Sequence, residues 1–162
     1  MVEPVLAGKW TPLGVLQRCR NLIHRPGDIL LTLRIAYFLW SVPKDLDQTS
    51  LPSFLSAVRA APRPPASDLR HAAARIARLR QPWVRLSLFG GRNTCYMRAL
   101  TLYRFLDTGE QPMRIHFGVD RSANADRLSG HAWITVGDDT LEAPEPVVQG
   151  RVREIYRHSN RE

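Results

Sequence analysis

The first half of the chain places its apolar residues with the period of an α-helix. Near the N-terminus this spacing predicts an amphipathic helix that stops at Pro26 and Gly27. Asp28 can cap a second helix, which the pattern extends to about Trp40, before Pro43. The early elements are therefore predicted to be helices, separated by proline and glycine.

Two further helices are predicted before the pattern changes. Thr49 or Ser50 can cap the third helix, and a proline-rich stretch at residues 62–65 separates it from the fourth. The fourth helix begins at Ser67, and its apolar stripe consists of Leu69, Ala72, Ala73, Ile76 and Leu79. After Pro82 the sequence indicates a loop that becomes rich in glycine.

The second half of the chain has one clear helical pattern, followed by the alternation of apolar and polar residues that is typical of strands. Residues 95–106 predict a helix whose core-facing positions are Cys95, Ala99, Leu102 and Leu106. Alternation predicts strands at residues 113–119 and 131–136, and residues 140–143 predict a return strand. The order predicts an α+β fold, in which a cysteine-bearing helix packs on a small antiparallel sheet, as in papain-like and transglutaminase-like proteins.

The length of the chain limits the number of domains, and its charge limits the class of partner. The 162 residues fit a single domain, with a helical N-terminal subdomain at 1–80, a catalytic core at 81–150 and a basic tail at 151–162 that can fray. The net charge of +8 is almost all arginine, since Lys9 and Lys44 are the only lysines. Such a surface suits an acidic partner, although biased arginine usage on a solvated surface is an equally simple interpretation.

Several classes of partner are disfavoured. The most apolar segment, residues 29–40, is interrupted by Arg34 and is too short to cross a bilayer, so we expect a buried helix and no stable membrane insertion. No targeting signal is evident, which favours a cytoplasmic protein. Aromatic residues are not interleaved with the basic run at residues 70–85, so nucleic acid is not an expected partner. The two cysteines, Cys19 and Cys95, do not argue for a disulfide.

Cys95 and His131 are the candidate nucleophile and base. Cys95 lies where a glycine-rich loop gives way to a helix, and the positive end of the helix dipole stabilises a thiolate there. His131 opens a strand, and Trp133 on the same face could shield its imidazole. Asn93 could cap the helix or donate a hydrogen bond to an oxyanion, beside the backbone N–H of Cys95.

Two motifs resemble those of a known family. Residues 92–102, Arg-Asn-Thr-Cys-Tyr-Met-Arg-Ala-Leu-Thr-Leu, resemble the cysteine motif of the transglutaminase-like proteases that process lasso-peptide precursors. Residues 113–119 end in Gly-Val, like that family's next strand, and residues 130–136, Gly-His-Ala-Trp-Ile-Thr-Val, resemble its His-Ala-Trp motif. The two motifs, in this order and at this spacing, are fairly specific together.

The resemblance implies a cysteine peptidase that removes the leader of a ribosomally synthesised precursor peptide. In that role Cys95 would form the acyl-enzyme and His131 would transfer its protons. The implied partners are the precursor peptide, a leader-binding protein and a macrolactam-forming synthetase.

The acidic residue that would orient His131 depends on a hairpin turn. The family places an aspartate a few residues beyond this turn, whereas the chain has Thr-Leu-Glu-Ala there. If Gly137 and Asp138 form a two-residue loop, Glu142 lies diagonal to His131 on the same face. If Asp138 and Asp139 form the loop, Glu142 sits too far along the strand. Glu142 is the prediction for the third catalytic residue, and Asp138 and Asp139 are the alternatives.

Other functions remain open on the same residues. One is a different acyl transfer, such as amide formation or glutamine deamidation, because only the acceptor of the acyl group would differ. Another is a non-catalytic, arginine-rich module that binds an acidic leader. The sequence predicts no metal and no cofactor, because no histidine and cysteine pair has metal-ligand spacing and no phosphate-binding glycine loop is present.

Overall fold

The fold is taken from a computed structural model that describes residues 26–58, 68–85, 95–109, 111–120 and 129–159. The predicted N-terminal helix, with Cys19, lies outside the described residues, and so does Asn93.

In the described ranges, four helices precede the sheet. They are α1 (Pro26–Gln48), α2 (Leu51–Val58), α3 (Leu69–Arg85) and α4 (Cys95–Phe105). In the described part of the chain, no helix is both long enough and apolar enough to cross a membrane.

Two helices run further than the sequence predicted, because each continues through a proline. α1 contains Pro43 and α3 contains Pro82, where the prediction had an end and a loop. An internal proline costs a helix about 3 kcal/mol. In α3 the buried side chains of Leu79 and Val84 lie on either side of Pro82, and burying each contributes about 1.5–3 kcal/mol. Tertiary packing therefore outweighs the local preference.

A four-stranded antiparallel sheet follows the helices, in the order β3-β2-β1-β4. The strands are β1 (Met113–Asp120), β2 (Gly130–Val136), β3 (Asp139–Leu141) and β4 (Val152–Ser159), with a short helix α5 (Glu145–Val148) before β4. The prediction of a fraying tail after residue 150 is wrong for these residues, because β4 pairs with β1 along its length.

A bulge between Phe117 and Gly118 interrupts the pairing of β1 with β4. A side chain at Gly118 would collide with Val152 and approach the carbonyl oxygen of Arg153 to 2.8 Å. Glycine is therefore needed for β4 to lie this close to β1.

The β2–β3 hairpin has the first of the two predicted registers. Val136 pairs with Asp139, so Gly137 and Asp138 form a two-residue loop. Gly137 has a φ of 57°, as the first position of a type II′ turn requires. The pairing ends at Ile134 and Leu141, and Glu142 departs from the strand with a φ of 50°.

The core lies between α4 and one face of the sheet, with α1 and α3 packed behind α4. Ile115, Ala132 and Ile134 supply the sheet side of this core, and Ala99 and Leu102 supply the helix side. The architecture is the α+β arrangement expected from the order of elements. It brings the N-terminus of α4 to the start of β2.

Candidate active site

Cys95 is the first residue of α4, and its thiol lies against the main chain of β2. The Sγ atom accepts a hydrogen bond from the N–H of Ala132 at 3.3 Å and lies 3.5 Å from the carbonyl oxygen of Gly130. These two groups flank His131 on either side. The fold therefore brings the predicted nucleophile to the main chain of the predicted base, across a sequence separation of 36 positions.

His131 is half-buried, and its imidazole makes a hydrogen bond of its own. Its Nε2 atom lies 3.3 Å from the hydroxyl oxygen of Ser129. Within the residues that the structure describes, no hydrogen bond joins the thiol of Cys95 to this imidazole. Catalytic hydrogen bonds are often long without substrate. His131 is on the face of β2 opposite Ala132 and Ile134, which pack on α4, so proton transfer would require the imidazole to reach Cys95 around the edge of the strand.

Trp133 lies on the same face of β2 as His131, but its ring contacts another histidine. It stacks on His116 with the ring centres 5.2 Å apart and the planes 7° from parallel. His116 is buried and hydrogen bonds to Glu154 at 2.5 Å and to Thr135 at 2.8 Å. No role was predicted for His116, although the alternation along β1 places it opposite the core face.

Glu142 is held by arginines. Its carboxylate lies 2.9 and 3.2 Å from Nη2 of Arg80, and one oxygen is 3.9 Å from Nε of Arg98. The predicted diagonal approach to His131 required an extended residue, whereas the strand pairing ends at Leu141 and Glu142 turns left-handed. The Glu142 carboxylate therefore binds Arg80 rather than His131, which was the predicted partner.

The two alternative carboxylates lie at the wrong end of the hairpin. Asp138 is in the turn, and Asp139 pairs with Val136 and binds Arg70 at 3.2 Å. Val136 is five residues from His131, which is about 16 Å along a strand. Neither aspartate is placed to orient this imidazole.

Asp120 and Ser129 are site residues that sequence reasoning missed. The N–H of Asp120 donates to the carbonyl oxygen of Ser129 at 3.0 Å, so the two residues face each other across β1 and β2. The strand register places both side chains on the face of His131, with Asp120 diagonal to it. Asp120 is buried. The paired strand patterns could have indicated this carboxylate, had the register been known.

A cavity of about 300 Å³ opens beside the start of α4. We call it the arginine cavity, and it is lined by Ala77, Arg78, Arg80, Gln81, Val84, Arg98 and Glu142. Arg80 is buried, and it also donates from Nη1 to the carbonyl oxygen of Arg98 at 3.0 Å. Burial lowers the pKa of Arg80 from its ordinary value, and the charge of Glu142 opposes that shift.

Tyr96 follows Cys95 and adds an apolar wall to this end of α4. Its ring packs against Phe117 at 5.5 Å, and burial raises the pKa of Tyr96 to about 12. Among the described residues, no group of three or more His, Cys, Asp or Glu side chains could hold a metal ion.

Comparison with known families assigns the chain to a class. The sequence matches the profile of the Transglutaminase-like superfamily over residues 29–156. The match covers most of the chain, from the first turn of α1 to the middle of β4. Comparisons with curated proteins and with solved structures find no significant match.

The chain belongs to the Transglutaminase-like superfamily. Members of this superfamily are generally cysteine peptidases or acyltransferases, so the class indicates cysteine-based acyl transfer or hydrolysis. The helices and the small antiparallel sheet are consistent with its α+β core.

Proposed function

We propose that this protein is a cysteine peptidase that removes the leader from a ribosomally synthesised precursor peptide, in the maturation of a lasso peptide. The observation that carries the peptidase proposal is the position of the Cys95 thiol. It stands at a helix N-terminus, 3.3 and 3.5 Å from main-chain groups on either side of His131. The resemblance of the cysteine and His-Ala-Trp motifs to lasso-peptide proteases supports the choice of substrate.

Each residue has a role in the proposed reaction. The thiolate of Cys95 attacks the scissile carbonyl, and the N–H of Cys95 stabilises the oxyanion at the start of α4. His131 accepts the thiol proton and then donates it to the leaving amine. Water hydrolyses the thioester, which releases the acyl fragment and restores the thiol.

Ser129 and Asp120 replace Glu142 as the proposed positioning residues for His131. The Ser129 hydroxyl contacts Nε2 of the imidazole, which leaves Nδ1 to exchange the proton with Cys95. The buried carboxylate of Asp120 lies opposite Ser129 on the same face of the sheet. A carboxylate near the imidazole would stabilise its protonated form during the reaction.

The proposed partners follow from the same resemblance. The precursor peptide would be presented by a leader-binding protein, and the released core would pass to a macrolactam-forming synthetase. The fixed positive charge of the chain, +8, suits an acidic peptide segment.

The experiment is peptide cleavage monitored by mass spectrometry. Wild type, Cys95→Ala and His131→Ala are incubated with short precursor peptides encoded near this gene, with and without candidate leader-binding proteins. Hydrolysis yields two fragments whose masses sum to the precursor plus one water, whereas transfer to an amine yields an adduct. We expect hydrolysis by wild type only, with Cys19→Ser as a control that retains activity. Unchanged cleavage by Cys95→Ala would overturn the proposal.

A further inference from the structure

We propose that the arginine cavity is a substrate subsite that binds the carboxylate of an acidic side chain next to the bond attacked by Cys95. The proposal rests on the proposed function, and it adds a substrate class: peptides with Asp or Glu beside the scissile bond.

The cavity lies within one helical turn of Cys95 along α4. Arg98 follows Cys95 by three positions on α4, which places their Cβ atoms about 5–6 Å apart on one side of the helix. On the other wall, Glu142 comes directly after Leu141, which pairs with Ile134 on the strand that carries His131. A peptide bound at the thiol would therefore lie close to the cavity.

The cavity has more positive than negative charge. Three guanidinium groups line it, from Arg78, Arg80 and Arg98, against the single carboxylate of Glu142. Arg80 is already bound to that carboxylate by two contacts. Arg98 approaches the carboxylate only to 3.9 Å, and half of its side chain is exposed. In the described part of the chain, Glu142 is the one acidic residue that lines the cavity.

Arg78 adds a third cation to the cavity wall. Its Nε atom is buried and has no hydrogen-bond partner among the described residues, so this atom does not face the open space. An anion in the cavity would therefore meet Arg78 through the terminal nitrogens of the guanidinium group, and it would meet Arg98, which Glu142 contacts only at 3.9 Å.

A carboxylate on a peptide side chain fits the chemistry and the size of this cavity. A guanidinium group binds a carboxylate through parallel N–H donors, and about 300 Å³ accommodates one side chain and its solvation. Leader removal cuts an internal bond, so the peptide's own terminal carboxylate lies elsewhere. The anion is therefore assigned to an Asp or Glu side chain flanking the cut.

The test uses two alkylating reagents that differ only in charge. In a Cys19→Ser background, where Cys95 is the one cysteine, the rates of alkylation by iodoacetate and by iodoacetamide are measured by mass spectrometry. Their ratio is divided by the same ratio for N-acetylcysteine. One unit charge about 6 Å away in a water-like medium changes the local concentration of an anion roughly threefold. We expect a normalised ratio well above one that falls about threefold in Arg98→Gln.

A matched control separates the cavity from net charge. Arg70→Gln removes the same charge from the exposed start of α3, ten residues and about 15 Å from Arg80. The ratio should stay at the wild-type value in this variant. In the wild-type protein, the normalised ratio should fall towards one in about 1 M salt, where the Debye length is about 3 Å. Arg78→Gln is a second cavity variant, and circular dichroism checks the folding of each protein.

The two possible failures are distinguishable. A ratio of one in wild type, or equal ratios in Arg98→Gln and Arg70→Gln, would overturn the subsite. Alkylation needs no peptidase activity, so a cavity-dependent ratio in a protein that cleaves no precursor would reject the proposed function and leave the subsite. If cleavage is found, the acidic residue of the peptide beside the cleaved bond is replaced by its amide. This replacement should slow cleavage by the wild-type enzyme, and it should slow cleavage by Arg98→Gln to a smaller extent.

Discussion

Three arginines of α3 bind carboxylates from other elements, and the pairs of Arg75 and Arg80 differ in how they are enclosed. Arg75 binds Asp28 of α1 at 2.7 Å, and Asp28 is fully buried. Arg80 binds Glu142 at 2.9 Å, and this pair lines a cavity that holds two more arginines. The first pair joins two helices, whereas the second leaves charge available to a ligand. An ion pair alone therefore does not mark a binding site. The Arg80 pair differs from the Arg75 pair because it lines an open cavity that contains additional positive charge.

The strongest way to test this comparison is to remove the cation from the enclosed pair. Arg75→Met should lower the free energy of unfolding by about 3 kcal/mol, because a fully buried carboxylate loses its guanidinium partner. Urea unfolding measures the change. Arg70→Met, which breaks an exposed pair with Asp139, should lower it by about 0.5 kcal/mol. Equal effects of the two variants would show that the Asp28 pair is not a structural contact.

A second experiment removes the carboxylate from each pair and then offers an anion. Glu142→Gln should destabilise the fold by about 2 kcal/mol, since buried Arg80 loses its counter-charge. Sulfate should recover more of this loss than it recovers for Asp28→Asn, because only the Arg80 pair lines an open cavity. The measurement is the melting temperature against sulfate concentration, with wild type as reference. Equal recovery in both variants contradicts the comparison.

A third experiment separates binding from stability within the cavity. Arg98→Gln should change the free energy of unfolding by less than about 0.5 kcal/mol, because its side chain is half exposed and its contact with Glu142 is long. The same variant is expected to lose the iodoacetate preference of Cys95. A large loss of stability in Arg98→Gln would mean that the residue holds the fold together and would weaken its assignment to a ligand.

The smallest effect concerns an uncharged group at the same end of α4. Burial raises the pKa of Tyr96 to about 12 from its ordinary value of 10.0, so the neutral phenol is favoured in the folded state. The resulting stability is present below pH 10 and is lost as the pH rises towards 12. Phenolate absorbance should show a late-titrating component that is lost in Tyr96→Phe, and that variant should lose less stability over this pH window. An unchanged titration in Tyr96→Phe would contradict the assignment.

The sequence was most informative where the chemistry is local. Gly137 permits the positive φ of a type II′ turn, so the hairpin register could be predicted as one of two. Alternation along β2 also placed Trp133 on the same face as His131. These features depend on neighbours in the chain, which is why the pattern of residues specifies them.

Features that depend on distant partners could not be predicted in this way. Glu142 and Arg80 are 62 positions apart, and no spacing rule pairs them. β4 is an edge strand whose Arg153 and Ile155 are exposed, and the bulge at Gly118 disturbs its register, so it shows no clear alternation. Its basic residues therefore resembled a tail.

The position of β4 in the sheet has a consequence for the order in which the molecule is assembled. β1 and β2 are close in sequence and form a hairpin early, whereas β4 comes only after α5. As the chain emerges from the ribosome, the outer edge of β1 is exposed until β4 has been synthesised and has docked. Unpaired N–H and C=O groups on such an edge can pair with another copy of the chain. A variant that slows docking, such as Gly118→Val, is therefore expected to aggregate during synthesis.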